Sequence, residues 1–94
     1  MTQNFLTEKQ TEYWLTSETR DILMPDGTRE PYTDFKMFWG AFDFVLEETE
    51  YDEVSLASLA EGHMIDSGKP FKEAFMEIVV YIDKELRKRL GIDE

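Results

Sequence analysis

Lys36-Met37-Phe38-Trp39-Gly40-Ala41-Phe42-Asp43-Phe44-Val45-Leu46-Glu47-Glu48 is the stretch on which the fold turns. Phe38, Phe42, Val45 and Leu46, with Thr49 beyond, fall at i, i+4, i+7, i+8 and i+11. That spacing lines side chains along one face of a helix and predicts a helix over 36–48. The period changes on both sides of it. Upstream, Thr19 to Met24 reads as extended chain, and Pro25-Asp26-Gly27 is a tight-turn signal because Pro presets φ and Gly accepts a positive one. The returning arm, Thr28 to Asp34, completes a hairpin or ribbon over 19–34, with Pro31 confining it to an edge, a bulge or an irregular pairing. Further upstream, Thr7-Glu8-Lys9-Gln10 has the form of a capping box, so residues 1–18 carry a helical segment running to about Leu15.

Downstream, Glu50-Tyr51-Asp52 breaks the pattern before Leu56, Leu59, Ala60, His63 and Met64 return to helical spacing. They predict a second helix over 54–65, with Asp52 or Glu53 at its positive end. Ser67-Gly68-Lys69-Pro70 is a break with Gly near a helix C-terminus and Pro near the next N-terminus. A third helix over 71–90 presents the stripe Phe71, Ala74, Phe75, Ile78, Val79, Ile82, Leu86 and Leu90, carries Lys84, Arg87, Lys88 and Arg89 in its last turns, and ends at Gly91. Met76, Val80 and Tyr81 give it a second apolar edge. Two readings account for that edge: the N-terminal segment covers it, or a partner chain does in a symmetric homodimer. In the dimer reading the interface is Tyr32, Phe75, Met76, Val79 and Val80.

The chain has 94 residues, 41% of them hydrophobic and 14% aromatic, which fits one domain over 1–94. It has no cysteine, which removes disulfides, thiolate catalysis and cysteine-ligated zinc. Twenty-one acidic against ten basic residues give a net charge of −11, which repels phosphate backbones. The longest apolar run is Ile78 to Ile82, and Met1–Leu15 lacks the basic-then-apolar order of a signal peptide, so a cytoplasmic location is expected.

Reactive residue types are sparse. There is one histidine and no phosphate-cradling glycine loop, so no enzyme is expected, and His63 on its apolar stripe reads as a half-buried structural residue. No metal or cofactor is expected either, because the acids of residues 43–53 lack the Asp-x-Asp-x-Asp-Gly loop that gathers ligands around calcium. A small enzyme using paired carboxylates would need a nucleophile, base and orienting group that the chain does not assemble.

What stands out is the placing of charge. The thirty-two residues between Lys36 and Lys69 hold no Lys or Arg and eight acids. Asp43, Glu47 and Glu50, at i, i+4 and i+7, form a row on the side away from Phe38, Phe42 and Val45, and Asp52 and Glu53 extend it. One reading is a solvated, solubilising face. The other is that spaced carboxylates imitate phosphates and engage the basic cleft of a nucleic-acid-binding protein.

The order of ribbon and helices, with Gly27-Thr28-Arg29-Glu30, Phe38-Trp39-Gly40-Ala41-Phe42, Ser55-Leu56-Ala57-Ser58-Leu59 and the apolar helix from Phe71 to Ile82, resembles the ribbon-helix-helix family. The likeness covers roughly Ile22 to Leu86 and is to the bacterial branch with a Phe-Trp first core helix. It implies a mainly α fold with a short N-terminal ribbon, three core helices and an intertwined dimer whose ribbon enters the DNA major groove. The functional positions depart from that pattern: one strand face reads Glu30, Tyr32, Asp34 and the other Arg29, Pro31, Thr33, leaving one base-reading guanidinium per chain. The sequence-based expectation is a non-enzymatic acidic interaction protein. It would block or regulate a nucleic-acid-binding partner as phage-type, anti-CRISPR-like DNA mimics do, through Asp43, Glu47, Glu50, Asp52 and Glu53. The alternative is a ribbon-helix-helix repressor in which Arg29 and Thr33 read bases and the Lys84–Arg89 segment contacts phosphate.

Overall fold

The structure is a computed structural model and describes residues 12–92. It is a β-hairpin followed by three helices. Strand β1 spans Ser17–Leu23 and β2 spans Arg29–Phe35; helices α1, α2 and α3 span Lys36–Glu48, Glu53–Ser67 and Phe71–Leu90. The expected capping box at Thr7–Gln10 lies outside the described residues, of which residues 12–14 are helical.

The strands pair antiparallel within one chain, from Ser17 opposite Phe35 to Leu23 opposite Arg29. The hairpin expected over 19–34 is thus present, formed by β1 and β2. Its turn holds Gly27 at φ 90, and the Asp26 carboxylate accepts from the Thr28 N–H and hydroxyl at 3.0 and 2.6 Å. The Met24 N–H donates to Thr28 O at 2.8 Å and the Lys36 N–H to Thr16 O at 2.9 Å, so the directly bonded pairs involve even-numbered residues. Pro31, opposite Asp21, falls at a non-bonded pair. Its missing N–H costs the hairpin nothing and instead blunts the outer edge of β2. The neighbouring outward N–H of Phe35 is taken by Asp34 Oδ1 at 2.7 Å.

Alternation places Ile22 and Tyr32 on the inner face, both buried, while Thr19 and Thr33 meet on the outer face through their hydroxyls at 2.7 Å. No linker separates β2 from α1: Phe35 ends the strand and caps the helix. This junction drops Phe38, Trp39, Phe42 and Val45 onto the hairpin and α3, where Phe75 is fully buried among Tyr32, Phe38 and Phe42 at ring distances of 5.0 to 5.9 Å. The Trp39 indole donates to Glu18 O of β1 at 2.9 Å, locking the helix to the sheet.

Asp52 caps α2, and Gly68, at φ 76 in the left-handed region, ends it. Pro70 caps α3 and Gly91 closes it. Leu56, Ala57 and Ala60 are buried, whereas Leu59, expected on the core stripe, is exposed. The small Ala57 takes the inward position instead. Leu90 is likewise exposed, because α3 outruns the elements that cover it. Among the described residues no helix is long and apolar enough to cross a membrane.

Candidate functional site

The five acids expected to form one partner-binding face are divided by the fold. Asp43 leaves α1 toward Arg20 of β1, whose Nη1 and Nη2 donate to its two carboxylate oxygens at 2.8 and 3.3 Å. The same guanidinium donates through Nε to Glu18 at 2.6 Å and lies 4.7 Å from the Trp39 ring, and the Asp43 bond is the main cause of its raised pKa. Asp52 accepts from the Ser55 N–H and hydroxyl, each at 2.8 Å, and these bonds hold its carboxyl below the usual aspartate range. Glu53 reaches back to accept the outward N–H of Leu23 at 3.0 Å, with Arg29 Nη1 at 3.8 Å. Three of the five thus tie the hairpin and helix termini together.

Glu47 and Glu50 are exposed, as is Glu48 between them. None of the three makes an ion pair among the described residues. They sit at the C-terminal end of α1 and just beyond it, where the helix dipole favours cations and no basic residue is present.

Asp43 and Glu47 also line a surface groove of about 790 Å³ between α1 and α3. Its floor is apolar: Phe38, Ala41 and Phe44 from α1 meet Met76 and Val80 from α3. Phe38 lies 5.9 Å from Phe75, and Arg87 covers the Phe44 ring at 4.8 Å, so the two helices run in the same sense along the groove. Met37 and Phe35 stand at its margin, 53% and 47% exposed, and Trp14 closes one end by packing against Gly40, where a Cβ would come to 3.4 Å of the indole. Sequence reasoning found the Met76 and Val80 edge but missed its counterpart. The signal was present, since Met37, Ala41 and Phe44 repeat at i, i+4 and i+7, one position out of phase with the core stripe.

The residues assigned to a dimer interface separate in the same way. Tyr32, Phe75 and Val79 are buried inside the chain's own core, so a molecule docking on this fold cannot reach them. The Tyr32 hydroxyl is satisfied internally by Asp34 and the Lys72 carbonyl, each at 3.1 Å, and burial foremost raises its pKa. Only Met76 and Val80 remain open. Arg29 and Thr33, the base readers of the alternative, do share the outer hairpin face, but Arg29 donates to Asp21 O at 3.4 Å and lies beside Glu53.

His63 is half-buried, and its Nε2 lies 2.7 Å from Glu77, which also accepts from Lys69. Lys69 first and His63 second hold the Glu77 carboxyl below its usual range. The trio bridges the α2–α3 corner. Among the described residues no group of three His, Asp or Glu is placed to hold a metal. Comparison of the chain with protein-family models, curated proteins and solved structures finds no match.

Proposed function

We propose that the chain is a non-enzymatic acidic interaction protein that binds the basic surface of a nucleic-acid-handling partner and blocks or regulates it. One observation carries this reading. Glu47, Glu48 and Glu50 are exposed and unpaired among the described residues, at a helix end whose dipole opposes them. A carboxylate placed there lowers stability by about 0.3–1 kcal/mol and is not repaid inside the fold. Long-range attraction to a cationic surface gives such charges a use, by steering encounter and rejecting wrong partners. Asp43, Asp52 and Glu53 are committed to internal bonds.

The test is affinity capture after nuclease treatment, comparing the protein with a Glu47→Lys, Glu48→Lys, Glu50→Lys variant. The expected result is a partner held by the first, lost by the second and released by a DNA duplex. Equal capture by both, or a partner that binds the protein and DNA together, would refute the proposal. The repressor alternative requires Arg29 and Thr33 to bind DNA directly, and a gel shift of duplex DNA at low salt would establish it in place of this one. Self-association along Met76 and Val80, expected from the sequence, is the competing use of the surface next to these acids.

A further inference from the structure

We infer that the groove between α1 and α3 is a docking site for an amphipathic helix of a partner protein, with apolar anchors on one face and Lys or Arg flanking them. The inference rests on the proposed binding of a basic partner and names the segment that enters. Four features carry it. The groove is walled by two helices, and an apolar groove of this kind seats a third helix by its i, i+3, i+4 and i+7 side chains. Its apolar surface is open: Val80 on the floor is 37% exposed and Met37 at the margin 53%, and nothing among the described residues covers them. From Met37 to Glu47 it follows about 15 Å of helix axis, about three turns of an incoming helix. Its margin is net acidic: Asp43 is bonded to Arg20 at 2.8 Å and Asp83 to Arg87 at 3.1 Å, while Asp34 and Glu47 have no ion-pair partner among the described residues.

That margin chooses among occupants. A second copy would bring two such acidic margins together on chains that each carry −11. Like charges that close oppose association, whereas Lys or Arg beside an apolar anchor meets the unpaired carboxylates of Glu47 on α1 and Asp34 on β2. The two parts of the site have different tasks: the carboxylates attract, and Phe38, Ala41, Phe44, Met76 and Val80 hold what has arrived.

The experiment uses a labelled peptide of about four helical turns with leucines on one face and lysines elsewhere, and a scrambled peptide of identical composition. Fluorescence anisotropy with the full chain measures affinity, and amide shifts locate the contact. The amphipathic peptide is expected to bind about ten-fold more tightly than the scrambled one, and to shift Gly40, Ala41 and Val80. A Val80→Glu variant is the decisive control, because it adds negative charge and still should weaken the amphipathic peptide about ten-fold. Its melting curve shows that it is folded, and Met37→Glu repeats the test on the opposite wall. Equal affinity for both peptides, or unchanged or tighter binding by Val80→Glu, would overturn the groove and leave the acidic reading intact. Binding of neither peptide would overturn both. A peptide-free protein that sediments at twice the chain mass, and at the single mass as Val80→Glu, would overturn the inference in favour of a second copy.

Discussion

Reversing Glu47, Glu48 and Glu50 to lysine is expected to make the protein more stable and less able to bind. The structure supplies the magnitude. Glu47 and Glu48 lie in the last turn of α1, which has no basic residue, and neither has an ion-pair partner among the described residues. An exposed charge at this place is worth about 0.3 kcal/mol, unfavourable for a carboxylate and favourable for an ammonium, so each reversal swings about 0.6 kcal/mol. Glu50 lies beyond the helix and contributes only relief of repulsion, as the net charge moves from −11 to −5, two charges for each of three sites. The sum is a gain of about 1 kcal/mol, or about 4–8 °C in Tm for a domain this small. Thermal melts followed by circular dichroism at low salt measure it, and the gain should fade near 1 M salt, where screening acts over about 3 Å. A variant that melts several degrees lower would refute the reasoning, because it would show that these carboxylates do structural work. A variant that is stabilised and keeps its partner would leave the electrostatics correct and remove the function.

Three further expectations follow from the packing. Trp39→Phe loses the bond to Glu18 O, part of the stacking with Arg20 and some buried volume, together about 2–3 kcal/mol by urea unfolding. A loss below about 1 kcal/mol would mean that the indole is not the tie between hairpin and α1. Gly62→Ala should raise stability by up to about 1 kcal/mol, since no atom lies within 4 Å of the added Cβ and alanine favours the helix; destabilisation in the same assay would contradict that geometry. Asp26, Asp52 and Glu77 have carboxyl groups held below their ordinary values of 3.8, 3.8 and 4.5 by hydrogen bonds from Thr28, Ser55 and Lys69. Their contribution is complete above those ordinary values and declines as pH falls through the lower folded ones. Asp52→Asn should therefore flatten part of the loss seen between pH 5 and about pH 2 in urea titrations, and an unchanged slope would count against the cap.

Local patterns carried most of the fold. The apolar repeat in Phe38, Phe42 and Val45 gives α1 its observed bounds, and Pro25-Asp26-Gly27 marks the turn between the strands. What escaped were contacts between residues remote in sequence. Asp43 is 23 residues from Arg20, and Glu53 is 30 from Leu23, so a row of acids on a helical wheel looked uniform although the fold had assigned three of them to other tasks. Tyr32 shows the opposite limit. Strand alternation places it on the inner face with Glu30 and Asp34, but only the arrival of Phe75 and Trp39 on that face shows that the chain buries the ring itself. The groove was half legible because each wall is a periodic row, while their pairing depends on α1 and α3 running side by side.

The junction at Phe35 and Lys36 has a consequence for how the protein tolerates change in length. With strand and helix fused, the rotation of β2 sets the rotation of α1. One residue inserted there would turn the helix by about 100° and swing Trp39 out toward water. One residue gained or lost within β2 would exchange Tyr32 with its outward neighbours and bring Pro31 into a bonded position of the ladder. The elbow is a single mechanical part with no free joint. In any lineage descended from this sequence, insertions and deletions should collect at the hairpin tip, residues 49–52 and residues 68–70, and leave the elbow the same length throughout.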